Sequence, residues 1–131
     1  MEDRKEKFDR RREFGMIAEQ AAAEHLMLEG FVIKERNWHP YRTHLEVDII
    51  AEKGDTIVFA EVKARSADWE DAADAVDLKK QKFLARAADI FLRMLSRDYY
   101  YRFDIITVTG DADHYVLEHL EDAFLPPVMS L

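Results

Sequence analysis

The sequence contains no cysteine. That excludes disulfides, thiolate metal sites and cysteine nucleophiles, and it fits a reducing compartment. Three prolines and four glycines in 131 residues leave little material for a linker. No repeat or low-complexity tract interrupts the chain. A single domain spanning residues 1–131 is expected, and it is long enough to bury a core without staples. No apolar run approaches the roughly eighteen residues of a membrane span. The charged start MEDRKEKFDRRREFG lacks the apolar segment of a secretory signal. The expected location is cytoplasmic, with no membrane partner.

Also missing are a GxxxxGK[ST] loop, an HExxH helix and a glycine-rich dinucleotide loop. Basic charge is scarce, with 19 Lys and Arg against 27 Asp and Glu and a formal net charge of −8. This counts against a broad nucleic-acid surface, because basic side chains neutralise the phosphates. It leaves a small metal-centred site open, since a bound cation resets the local field.

What is present is a soluble balance, 48% apolar and 35% charged. Residues 9 to 29 carry helical periodicity at Phe14, Ile17, Ala21, Ala22, Leu26 and Leu28, with Gly30 as a stop. Phe31 to Arg36 reads as a strand, followed by a polar-aromatic loop from Asn37 to His44. Strands are expected at Leu45–Glu52 and Thr56–Ala64, around the turn Lys53–Gly54–Asp55. Arg65 to Ala75 reads as irregular and acidic. Asp77 can cap a helix to about Arg97, with an apolar stripe of Leu84, Ala88, Phe91 and Leu95. Tyr100–Thr109 and Tyr115–Leu120 are the last strands, around a turn at Gly110–Asp113. The order α-β-β-β-α-β-β predicts an α/β fold, a mixed sheet with helices packed on it.

The informative segment is LEVDIIAEKGDTIVFAEVKAR, residues 45 to 65. Gly54–Asp55 suits a two-residue hairpin loop, with glycine first as a type II′ turn requires. That register sets Ile50 opposite Phe59, Asp48 opposite Glu61 and Glu46 opposite Lys63. One face then holds Ile50, Ile57 and Phe59, continuing into Glu46, Asp48, Glu61 and Lys63. The other holds Val47, Ile49, Ala51, Val58, Ala60 and Val62. Opposed residues share a face with Cβ atoms about 4.5–5.5 Å apart, so like charges there repel. Both strands are otherwise apolar on both faces, as in a covered sheet.

Charges buried there are costly unless neutralised. Mg²⁺ or Mn²⁺ would do so, held by Asp48, Glu61 and the Val62 carbonyl with water and phosphate oxygens. Lys63 could orient or deprotonate an attacking water or steady the charge on phosphate. The alternative is a salt-bridge cluster in which Lys63 balances Glu46 and Glu61.

Other features carry two readings each. Lys79, Lys82, Arg86, Arg93 and Arg97 fall on one side of the second helix, as a phosphate track or a solvated face. Arg4, Lys5, Lys7 and Arg10 to Arg12 form a diluted basic start. Trp38, His39, Tyr41, Arg42 and His44 form an aromatic-basic loop. It could stack on unpaired bases, with Trp38 and Arg42 as the contacts, or plug the core. His39 and His44 are a weak metal pair.

The stretches GMIAEQAAAEHLMLEGFVIKERNW, LEVDIIAEKGDTIVFAEVKAR, DAADAVDLKKQKFLARAA and YRFDIITV occur in an order that resembles the YraN family of small bacterial proteins. That family is similar to Holliday-junction resolvases of the PD-(D/E)xK nuclease superfamily. The resemblance implies a restriction-endonuclease-like α-β-β-β-α-β core with a mixed central sheet flanked by helices. It also implies a metal-dependent nuclease on DNA, possibly on branched intermediates, and a homodimer if the substrate is a two-fold junction. By resemblance, Asp48 is the metal-binding Asp and Glu61 and Lys63 are the (D/E)xK pair. Glu19 completes the metal site, Gln81 is a helix glutamine facing it, and Glu46 is the Glu of a Gly-Glu-Ile-Asp segment. Leu45 stands here where that segment has glycine. The second reading is a non-catalytic module that keeps the fold and binds nucleic acid or protein.

Overall fold

A computed structural model describes residues 2–67 and 76–126. Helix α1 spans Arg4–Leu28, starting earlier than the apolar periodicity implies. The reason is local: the Asp3 side chain accepts the Glu6 N–H at 2.8 Å and caps the charged first turn. At the other end Gly30, at φ 97, takes the left-handed conformation. The Phe31 N–H returns to the Leu26 carbonyl and the Gly30 N–H to that of Met27, a Schellman stop. The buried stripe is Ala18, Ala21, Ala22, Ala23 and Leu26. Leu28, expected in that stripe, is 90% exposed, because the helix turns it past the edge of the contact.

The strands are β1 (Val32–Trp38), β2 (Val47–Lys53), β3 (Thr56–Arg65), β4 (Tyr100–Gly110) and β5 (Tyr115–Leu120). Helix α2, Leu78–Arg93, joins β3 to β4. Among the described residues five strands form one sheet in sequence order. All neighbours are antiparallel except β3 and β4, which pair in parallel from Thr56↔Tyr100 to Arg65↔Thr109. The hairpin register is the one Gly54–Asp55 implies, with Lys53↔Thr56, Ile50↔Phe59 and Ile49↔Ala60. Of the irregular segment expected at Arg65 to Ala75, Arg65 belongs to β3, and residues 68–75 lie outside the described residues.

Each helix covers one face of the sheet. Ala22, Ala23 and Leu26 of α1 pack on Ile49, Ala51, Val58, Ala60 and Ile106. Leu84, Ala87, Ala88 and Phe91 of α2 pack on Ile50, Ile57, Phe59 and Phe103. Asp77 caps α2 by accepting the Lys80 N–H at 2.8 Å. The helix ends at Arg93, short of Arg97. The next residues turn so that Arg97 donates to the Gly54 carbonyl at 3.0 Å and lies over the Tyr99 ring at 4.2 Å. Among the described residues no helix is long and apolar enough to cross a membrane.

Phe59 lies against Phe91, Phe103 and Tyr101 and is fully buried. Phe59→Ala should therefore lower unfolding free energy by about 3–5 kcal/mol. Leu28→Ala should change it by less than about 0.5 kcal/mol. Urea melts of both variants check the assignment of core and surface.

Candidate functional site

The site forms where the covered sheet opens at the C-terminal end of β3. Its carboxylates do not share a face as simple alternation implies. Val47 packs with Ile50 and Phe59 on the α2 side, whereas Ile49 and Ala51 pack on the α1 side. Alternation along β2 is thus interrupted around Asp48, and the β2–β3 pairs end at Ile49↔Ala60. Beyond that point the Val62 N–H would lose its ladder partner. The Asp48 carboxylate accepts it instead, at 2.8 Å. Val62 thus enters the site through its N–H. Asp48 opens into a cleft of about 310 Å³ on the α1 side, lined by Arg12, Glu19 and Val62 among others.

Glu61 stands on β3 and is only 4% exposed. Its Oε1 lies 3.4 Å from the Lys63 ammonium and 3.7 Å from that of Lys80. Its Oε2 is buried and has no hydrogen-bond partner among the described residues. Burial pushes the Asp48 carboxyl up to about 7, with repulsion from Glu61 next in size; the Val62 N–H opposes the rise, and Glu19 and Glu46 add smaller repulsions. Burial also raises Glu61, against the opposing pull of Lys80 and Lys63. The arrangement is two poorly hydrated carboxylates in mutual repulsion, with two lysines on one of them. Glu61 and Glu19 both act electrostatically on Asp48, but the three carboxylates do not bring one oxygen each within 4.8 Å of one another.

The structure therefore brings Asp48, Glu61, Lys63 and Glu19 into one neighbourhood. Glu19 is also held from the side, accepting from Asn37 Nδ2 at 2.6 Å. Glu46 does not meet Lys63; it lies 3.4 Å from His39, because β2 has left the hairpin ladder before reaching it. Gln81 donates to the Val76 carbonyl at 3.2 Å, at the first turn of α2.

Trp38 does not stand out as a base-stacking side chain. It opposes Val47 and packs edge-on against Phe91 at 5.3 Å, which is the plug reading of that loop. Arg42 is exposed, with its guanidinium over the Tyr41 ring. Lys79 and Lys82 are exposed, and the Lys79 ammonium lies over Phe83. The lysine of α2 that reaches the site is Lys80, which lies outside the row of Lys79, Lys82, Arg86, Arg93 and Arg97. Its signal is position: two residues after the α2 start, on the turn nearest the end of β3. Arg12 was lost among the other charges of the α1 start.

Comparison with known proteins adds a family to this geometry. The model of the family described as "Uncharacterised protein family UPF0102" matches residues 18–108. The chain belongs to the UPF0102 (YraN) family. It is 40% identical to a UPF0102 protein of Bacteroides thetaiotaomicron over 88% of this chain and 95% of that one. A UPF0102 protein of Phocaeicola vulgatus is 39% identical over 88% and 95%. One from Myxococcus xanthus is 35% identical over 87% and 90%. The UPF0102 match spans Glu19, Asp48, Glu61, Lys63 and Lys80, and begins after Arg12.

The raised Asp48 carboxyl has a consequence for stability. In the unfolded chain it titrates near 3.8, and in the folded chain near 7. Between those values the folded state holds a proton that the unfolded state has lost, so stability falls as pH rises through the window. Asp48→Asn keeps an acceptor for Val62 and removes the charge. In chelator, urea melts should show the variant close to wild type at about pH 4, and about 1–3 kcal/mol more stable at about pH 8.

Proposed function

We propose that this UPF0102 protein is a metal-dependent nuclease that hydrolyses DNA phosphodiesters, with a restriction-endonuclease-like core. The observation that carries the reading is the buried, unpartnered Oε2 of Glu61 beside the protonation-prone Asp48. A buried carboxylate oxygen without a donor is costly unless a cation meets it. Asp48, Glu61 and Glu19 offer carboxylate oxygens, the donor type that suits Mg²⁺ or Mn²⁺. The order α1-β1-β2-β3-α2-β4, with β3 and β4 parallel, agrees with such a core.

Bound at Asp48 and Glu61 with help from Glu19, the ion would supply charge neutralisation at phosphate and lower the pKa of a water. The chain's own residues do the rest. The Val62 N–H fixes the aim of Asp48. Lys63, 3.4 Å from Glu61, would as an ammonium orient the attacking water, or as a neutral amine accept its proton. Lys80 adds a second positive charge for the developing phosphorane oxygens. Arg12, at the cleft mouth, is placed to meet the DNA backbone. A branched substrate with two-fold symmetry would call for a homodimer. The net charge of −8 favours the second reading, a non-catalytic module for a protein partner.

The test is cleavage of four-way junction, single-stranded and duplex DNA with Mg²⁺ or Mn²⁺. Wild type should cut at least one substrate. Asp48→Asn, Glu61→Gln and Lys63→Ala should each lose at least about a hundredfold, with melting temperatures equal to or above wild type for the two carboxylate variants and somewhat lower for Lys63→Ala, which leaves buried Glu61 with one lysine fewer. If no substrate is cut and neither metal shifts the wild-type melting temperature with DNA present, the nuclease reading fails and the binding module replaces it.

A further inference from the structure

A second cluster of donors lies where α1 ends over the edge strand β5, and it shares no residue with the carboxylate site. Helix α1 places His25 and Glu29 one turn apart, and β5 places His119 beside them. His25 Nε2 is 3.0 Å from His119 Nδ1 and 3.2 Å from Glu29 Oε1. One donor atom from each of the three residues lies within 4.8 Å of the other two. The histidine rings meet edge to face, at 82°.

The protonation of this group is fixed from behind. His119 Nε2 lies 2.7 Å from Asp104 Oδ2, and the His119 side chain is only 7% exposed. Asp104 is buried, and its oxygens already accept from Arg102 Nε and Nη2 and from the Asp122 N–H. His119 Nε2 must therefore donate, so the lone pair of the neutral ring sits on Nδ1 and points at His25. The carboxylate of Glu29 approaches the same His25 nitrogen. One proton on His25 Nε2 cannot serve two acceptors well.

We infer that His25, Glu29 and His119 form a binding site for a zinc-class divalent transition metal, with Asp104 and Arg102 as its supporting shell. Two imidazoles and a carboxylate make a ligand set that zinc accepts, with a fourth position for water. Ligands about 2.0–2.1 Å from a tetrahedral ion stand about 3.3 Å apart. The His25–His119 and His25–Glu29 separations are close to that. Glu29, at 44% side-chain exposure, has room to swing into place. A histidine ligand whose other nitrogen donates to a buried carboxylate is the arrangement that fixes the tautomer and strengthens the donor. The ion would replace the proton on His25 and tie the last turn of α1 to β5, elements joined by residues far apart in sequence. Nitrogen donors separate this site from the all-oxygen site at Asp48, which suits Mg²⁺.

The experiment uses the full chain stripped of metal, titrated with Zn²⁺ by calorimetry and with Co²⁺ by visible absorption. Wild type and Asp48→Asn should each bind Zn²⁺ at this site, and Co²⁺ should give the intense bands of four-coordination. His25→Ala and Glu29→Gln should weaken Zn²⁺ by about tenfold or more and abolish those bands. Their folds should be kept, because both side chains are partly exposed. His119→Ala should also lose the bands, but it removes a buried hydrogen bond, so the other two variants decide. Unchanged Zn²⁺ affinity in His25→Ala, or only six-coordinate Co²⁺ spectra in wild type, would overturn the site. The cluster would then be a hydrogen-bonded relay holding α1 to β5. Loss of the bands in Asp48→Asn with retention in His25→Ala would assign the metal to the carboxylate site instead and equally overturn it.

Discussion

Burial of β3 on both faces is the constraint from which the rest follows. It pairs with β2 on one side and with β4 along its whole length on the other. Helix α1 covers one face and α2 the other, so Ile57 to Ala60 see no solvent. Charge on this strand is tolerable only at its C-terminal end. There Glu61 is still nearly buried, and burial raises its carboxyl despite two lysines. The carboxyl ends of strands in an α/β crossover are where ligands commonly find room, because the loop back to the helix leaves the sheet there. The Asp77 cap starts α2 close enough for Lys80 to reach Glu61.

Asp48 meets a backbone requirement and creates a chemical one. Once β2 leaves the ladder, the Val62 N–H needs an acceptor in a largely dry place. A carboxylate supplies it and becomes fixed in aim. The same dryness, with Glu61 beside it, pushes Asp48 toward neutrality. The residue that completes the local hydrogen bonding is therefore also one whose charged form its surroundings disfavour. The histidine cluster shows a related economy in nitrogen donors: the buried Asp104 holds His119, accepts from Arg102 and takes the Asp122 N–H after β5.

The sequence by itself determined the elements, their order and the hairpin register. Those depend on short-range physics: the Asp77 cap, the Gly54 turn, the Gly30 stop and the apolar periods act within a few residues. Five strands and two helices in a mixed sheet followed, as did the family, carried by ordered blocks of residues. Asp48, Glu61 and Lys63 were legible because acids in an otherwise apolar hairpin conflict with burial.

Tertiary structure alone decided which side chains meet. Pairing arithmetic could not show that β2 breaks alternation near Asp48, since that depends on how α1 and α2 compete for Val47 and Ile49. Nor could it separate Lys80 from Lys79 and Lys82, turn Gln81 back onto Val76, or send Trp38 into the core beside Phe91. His25 and His119 carry no local signal, being brought together only when the end of α1 docks over β5. Such contacts are set by the approach of whole elements across the sheet, and a one-dimensional pattern does not contain that geometry.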